Sequence, residues 1–267
     1  FARWQFLPRP LVDVSRRSQA THLFGRDYNS PIGIAPMGVS GLCAFEGDVA
    51  LARAGSAAGV PAIMSAASMI PLERIMREAP GTWYQAYLPA DRNVIGPMLD
   101  RQKAADVPVL VVTVDVQVAS TRENELRNGF SIPLRFTPRL MAGGLIRPRW
   151  MVETFARTLI RHGIPHFENL ELYAPKGQSI KEFYAFLGSV LSNHITADRF
   201  RQIRDQWPGK VIVKGVLDPE EAAAYMAMGA DGIIVSNHGG RQLDAAPSSV
   251  SMLPLVRKRL GPDALVM

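Results

Sequence analysis

Apolar positions along the chain fall into short, strand-like runs that recur with amphipathic stretches between them. The runs are Ile32–Pro36, Ala62–Ser65, Thr82–Tyr87, Val109–Asp115, Lys210–Lys214, Gly232–Ser236 and Ala264–Met267. The stretches between them carry helix start and stop signals. Asp218-Pro219-Glu220-Glu221 offers an N-cap side chain, a proline at the first helical position and a capping-box glutamate, and Gly229 stands where a C-cap glycine belongs. Glu46–Ala58 before Gly59, and Asp91–Ala104, have the same form. Strand and helix alternate, so the sheet is expected to be parallel.

Seven strands in series fit either a doubly wound open sheet or a (β/α)8 TIM-type barrel truncated after its seventh strand. The strand ends favour the barrel. Gln85 and Tyr87, Thr113 and Asp115, and Ser236 and His238 are polar pairs two residues apart, so each pair points to one face of its strand. Ser65 and Lys214 close two further strands. Together they predict a ring of polar groups at one rim, and the C-terminal mouth of a barrel is where such enzymes keep their active sites. One connection breaks the regularity. From Asp115 to Lys210 the chain has no comparable run, which predicts a long insertion after the fourth strand, either functional or disordered, with residues 131–175 as its basic and apolar loop.

Composition narrows the picture. At 267 residues, with 47% hydrophobic and 20% charged residues, the chain is expected to fold around a sizeable core as a single domain. Cys43 is the single cysteine, so no internal disulfide and no Cys-x-x-Cys motif is available, and a reducing compartment is expected. No apolar run approaches about 18 residues, so no membrane-spanning helix is expected, and Phe1 opens no signal peptide. A sequence without an initiator Met reads as beginning inside a longer chain. The net charge of +6 is concentrated in Arg135, Arg139, Arg147, Arg149, Arg157 and Arg161, opposed between Ser131 and Arg161 by Glu153 alone. Basicity confined to one element argues against a nucleic-acid surface spread over the fold. The same segment interleaves Leu134, Phe136, Leu140, Met141, Leu145, Ile146, Trp150 and Phe155 with its arginines, a mixture suited to an anionic bilayer interface; a solvated surface loop is the plainer alternative.

Dinucleotide, P-loop, zincin and serine-hydrolase signatures are absent, and no metal site is expected. What stands out is Ser236-Asn237-His238-Gly239-Gly240-Arg241-Gln242-Leu243-Asp244, directly after a strand. It sets a candidate base, His238, beside a fixed cation, Arg241, and its glycines permit close backbone approach to a flat ligand. Asp115 ends the most apolar strand, where a carboxylate needs a partner; it is either a turn aspartate or the group that orients an imidazole. Arg122 alone reads as a surface arginine.

In order and wording these residues resemble the FMN-dependent 2-hydroxy-acid dehydrogenase and oxidase family. The likeness runs from Phe6-Leu7-Pro8-Arg9 and Leu11-Val12-Asp13-Val14 through Pro31-Ile32-Gly33-Ile34-Ala35-Pro36 to the Ser236–Asp244 run. Pro148-Arg149-Trp150 and Arg161-His162-Gly163-Ile164-Pro165 look closest to the mandelate and L-lactate dehydrogenase branch. The resemblance implies an FMN enzyme that oxidises a small (S)-2-hydroxy acid to the 2-oxo acid. It implies His238 as the base, Asp115 as its carboxylate partner, Arg122 and Arg241 as a carboxylate clamp, and Tyr87 as a hydrogen-bond donor to substrate. Lys214 then lies by the flavin's pyrimidine edge, and Pro36, Met37, Gly38, Ser65, Gln85, Thr113 and Ser236 line the ring.

Met37 departs from the family's usual threonine, while Gly38 and Ala67 are small where oxidases are larger, leaving room for a larger or different substrate side chain. The resemblance further implies that the N-terminal substrate tyrosine lies before Phe1 and the phosphate-binding segments after Met267. The implied electron acceptor is a quinone, oxygen or a cytochrome. The implied setting is cytoplasmic, extending to peripheral attachment at the inner face of the plasma membrane, and the implied assembly is a homo-oligomer. Two alternatives compete: another phosphate-binding TIM-barrel enzyme, and an inactive truncated scaffold whose arginine segment binds membranes.

Overall fold

A computed structural model describes residues 4–87, 91–118, 122–129, 137–174, 186 and 196–267. Its centre is a parallel sheet of five strands, β3 (Ile63–Ser65), β4 (Trp83–Ala86), β5 (Val109–Thr113), β6 (Lys210–Val216) and β7 (Gly232–Val235), hydrogen-bonded in chain order. Single parallel bridges extend it at both edges, Ile34 to Ala62 on one side and Val266 to Ile233 on the other. Seven segments thus follow one another around the sheet without the reversal of strand order that marks a doubly wound fold. The barrel expectation holds, although its first and last members each make only one bridge.

Alternation along the strands divides the core in two. Leu110, Val112, Val211, Val213, Met64 and Tyr84 face outward and pack with Phe200, Ile203, Leu99 and Ile75 of the surrounding helices. Val109, Val111, Ile212, Ile63 and Trp83 face inward as a second cluster. The inward parity carries on toward the C-terminal ends through Ser65, Gln85, Thr113 and Lys214, so the polar rim is continuous with the apolar barrel interior.

The opposite end is closed by an antiparallel hairpin, β1 (Thr21–Leu23) with β2 (Arg26–Tyr28), which the strand pattern did not single out. Phe24 and Tyr28 set their rings 6.0 Å and 6.5 Å from that of Trp83. The turn needs positive φ at both Phe24 and Gly25, 51° and 79°. That signal is weak in sequence because only one of the two is glycine.

Helices Gly47–Ala58 and Pro219–Ala227 form where their signals stand, the first closed by Gly59 and the second capped by Asp218 through the Glu220 and Glu221 amides. Gly229 lies one residue beyond the observed C-cap, Met228. Arg92–Ala104 forms with Pro97 inside it and Asp91 as N-cap.

The insertion is a correction to the loop reading. Its described part is helical, with Pro138–Leu145, Pro148–Trp150, a π-helical stretch Met151–Ala156 and Arg157–His162. Pro138 and Pro148 stand at helix starts, where a missing N–H costs nothing, rather than marking loop. Hydrogen bonds tie it to the barrel. Trp150 Nε1 donates to the Leu42 carbonyl at 2.7 Å, His162 Nε2 meets Glu46 Oε1 at 2.8 Å, and the wholly buried Asn169 bonds the Leu72 amide and the Ile70 carbonyl. Leu134, Arg135 and Phe136 lie outside the described residues. The chain then returns through Ala197–Gln206, a barrel helix capped by Thr196 that buries Phe200 and Ile203.

Candidate active site

Each rim side chain is placed by the strand that ends beneath it. Ser65 Oγ donates to Gln85 Oε1 at 2.9 Å and accepts from the Ala67 amide at 3.2 Å. This fixes the Gln85 amide so that its Nε2 is buried with no partner among the described residues, and Thr113 Oγ1 is buried likewise. Lys214, on the strand beside Thr113, is 8% exposed. Burial pushes its ammonium below the usual lysine range, and the nearby Asp115 carboxylate opposes that shift. Its Nζ lies 3.4 Å from Ser236 Oγ. A buried cation and two unsatisfied amide or hydroxyl groups on neighbouring strands form a polar edge facing the barrel mouth.

Beyond β7 the chain turns sharply. His238 takes a left-handed conformation, φ 56°, and Asn237 Oδ1 accepts from the amides of Gly239 and Gly240 at 3.1 and 3.3 Å. The Ser236 hydroxyl accepts from the His238 amide at 3.0 Å. The turn directs the imidazole back over the rim, where Nδ1 lies 3.0 Å from Asp115 Oδ1. The two side chains are 19% and 11% exposed, so the pair is largely shielded from water. A carboxylate that holds the Nδ1 proton leaves Nε2 as the basic nitrogen.

Tyr87 follows β4. Its hydroxyl is pushed up to about 12, first by burial and then by the Asp115 charge, with Arg122 opposing. It therefore stays an O–H donor at neutral pH. Arg122 caps the helix Glu123–Arg127 and pairs with Glu125 at 3.4 Å. Arg241 is exposed and makes no ion pair among the described residues. The next residue, Gln242, donates to the Val118 carbonyl at 3.3 Å, tying this turn to the segment after β5.

Gly38 lies on the first βα loop, where a Cβ would meet the Ala67 Cβ at 3.2 Å and Ser65 Oγ at 3.9 Å. Pro36 is half-buried, and Met37 is exposed on the same loop. The structure thus joins His238, Asp115, Tyr87, Arg122, Lys214 and Ser236 in one electrostatic neighbourhood, and Ser65, Gln85, Gly38 and Ala67 in an adjoining one. Among the described residues no ion pair or side-chain hydrogen bond joins the Arg241 guanidinium to the others. The roles of Asn237 and Gln242 in building the turn were not read from the sequence. An Asn two residues before glycine was the available signal, since its side chain readily accepts from backbone amides in turns.

The family model described as FMN-dependent dehydrogenase matches residues 1–267. (S)-Mandelate dehydrogenase of Pseudomonas putida is 36% identical over 267 residues, covering 100% of this chain and 66% of that enzyme. L-Lactate dehydrogenase of Chromohalobacter salexigens is 36% identical over 262 residues, covering 97% of this chain and 65% of that enzyme. The chain thus spans just under two thirds of the length of these relatives. Among solved structures, a monotopic membrane protein, (S)-mandelate dehydrogenase, superposes with a TM-score of 0.87 at 36% identity, over 99% of this chain and 69% of its own.

Proposed function

The chain belongs to the FMN-dependent dehydrogenase family, and from that premise we propose that it carries the catalytic rim of an enzyme oxidising an (S)-2-hydroxy acid, of mandelate or lactate type, to the 2-oxo acid. The observation that carries the reading is the shielded pair of His238 Nδ1 and Asp115 Oδ1, 3.0 Å apart at the strand ends. Nε2 of His238 removes the substrate proton, and Asp115 orients the ring and stabilises the cation it becomes. Arg122 and Arg241 grip the substrate carboxylate, for which a planar forked donor is suited. Tyr87, kept protonated, donates to the substrate.

The buried, unpartnered Gln85 Nε2 and Thr113 Oγ1 beside the Lys214 ammonium suit the carbonyl and imide edge of an isoalloxazine ring. Lys214, Gln85, Thr113, Ser65, Ser236, Pro36, Met37 and Gly38 would hold that group, and Lys214 would stabilise negative charge on it. When bound, FMN supplies the two-electron acceptor. The space over Gly38 and Ala67 admits a substrate side chain.

The same reading extends to the membrane. Leu145, Ile146, Ile160 and Ile164 of the insertion are 72%, 74%, 82% and 79% exposed, among arginines. Such a surface supports peripheral attachment to an anionic leaflet, at the inner face of the plasma membrane, and favours a quinone as acceptor over oxygen or a cytochrome. Among the described residues no helix is long and apolar enough to cross a membrane.

The central test is His238→Ala in the flavin-loaded enzyme. Anaerobic stopped-flow should find the flavin still bound and its reduction by hydroxy acid slowed by at least about 100-fold. Reduction at the normal rate would remove His238 from the chemistry.

A further inference from the structure

Strand β6 does not run straight past the rim. Its pairing with β7 slips between Lys214 and Val216, so Gly215 stands as an extra residue in the ladder, a β-bulge. Its φ is 103°, a conformation that L side chains rarely adopt. The bulge faces Asp115. A Cβ on Gly215 would fall against Asp115 Cγ, 2.6 Å from its Cβ and 2.8 Å from Oδ1. All three nearest atoms belong to that one residue, and one of them, Oδ1, is the oxygen that meets His238 Nδ1 at 3.0 Å. The two backbones cannot slide apart freely, because the Val114 amide donates to the Lys214 carbonyl at 2.9 Å, one residue before each of them.

We propose that Gly215 is a positioning residue of the catalytic pair: its missing side chain is what lets Asp115 lie against β6 and meet His238. The proposal rests on the reading of His238 as base. With a methyl group at 215, Asp115 must withdraw by about 0.8 Å at its Cβ, and by more at Cγ, to restore ordinary contact at 3.4 Å. The withdrawal carries with it Oδ1, the oxygen that meets the imidazole. A misplacement of about 1 Å in a catalytic constellation costs on the order of 100-fold in rate. Glycine within a strand is a recognised sign of a bulge or of close approach by another group. Here the approaching group is the carboxylate of the pair.

The test compares Gly215→Ala, Asp115→Asn and their double variant, by two readouts. In flavin-free protein with 15N-labelled histidine, NMR reports the Nδ1 proton that His238 shares with a carboxylate. In the flavin-loaded enzyme, stopped-flow reports reduction by hydroxy acid. Gly215→Ala should abolish the wild-type Nδ1 signal and slow reduction about 100-fold. The double variant should then be no more than about threefold slower than Asp115→Asn, since both changes act through one contact. Gly261→Ala is the control for backbone strain alone, because φ is 83° there and nothing lies within 4 Å of the added methyl. It should leave both readouts unchanged.

A normal Nδ1 signal and normal reduction in Gly215→Ala would overturn the proposal. Normal reduction in Asp115→Asn would instead refute the pair as catalytic, and the proposal with it. If Gly215→Ala does not fold, Gly215→Ala with Asp115→Gly decides the matter. Recovery of soluble protein upholds the contact, and a second failure assigns the effect to backbone conformation and overturns the proposal.

Discussion

An arginine and a lysine carry the same charge, yet only the arginine presents two parallel donors to a carboxylate. Arg122→Lys and Arg241→Lys should therefore each raise KM for a 2-hydroxy acid by at least about tenfold, roughly the loss of one charge-assisted hydrogen bond, with flavin affinity unchanged. Steady-state kinetics beside flavin titration checks this. A methyl ester turned over as well as its acid would remove the clamp. The two arginines differ in readiness, because Arg122 already shares Glu125 while Arg241 is exposed. At this scale the sequence was informative for His238, Asp115 and Lys214, whose strand-end positions follow from side-chain alternation. It was silent about Gly215, because a glycine shows its purpose only when the group approaching it is known.

Helix Gly47–Ala58 begins with a carboxylate in an uncomfortable place. Asp48 is buried, and that burial pushes its carboxyl above the usual aspartate range. In the unfolded chain it titrates near 3.8. Between that value and the folded one, the folded state holds more proton than the unfolded state, so this group's contribution to stability falls as pH rises through the window. Asp48→Asn should abolish that contribution, and its gain in melting temperature over the wild type should grow from about pH 4 upward until Asp48 is fully ionised. A gain independent of pH would show that Asp48 does not titrate in the folded protein. Exposed carboxylates held low by arginines, such as Glu73 beside Arg101, contribute the opposite slope in both proteins and cancel in the comparison. Helices with cap signals were legible, whereas the helices of the insertion were not. Their prolines read as loop until the structure set them at first turns, and the buried Asn169 carries no sequence mark of the backbone it binds 97 residues away.

Across the whole molecule, charge and exposed apolar surface coincide on the insertion. Deleting it would disturb the first βα loop, which Trp150 and His162 hold. Replacing the exposed Leu145, Ile146, Ile160 and Ile164 by serine changes the outer surface alone. The wild type should float with anionic liposomes, and the quadruple variant should not. Binding should fall as the screening length shrinks from about 10 Å at 0.1 M salt to about 3 Å at 1 M. Equal flotation of both proteins, or of neither, would end the membrane reading.

Strand order, inward parity and the polar rim were all within reach of the chain's own pattern, because alternation in an extended strand is a local property that needs no partner to express it. The His238–Asp115 contact spans 123 residues, and the parity rule could say only that both side chains reach the same rim. Distance across that rim depends on strand stagger, which puts Gln85 opposite Val111 but Thr113 opposite Lys214. It depends also on the bulge at Gly215 and on a left-handed turn at His238. These are consequences of how strands pair and where one slips, so they emerge only when the segments are brought side by side.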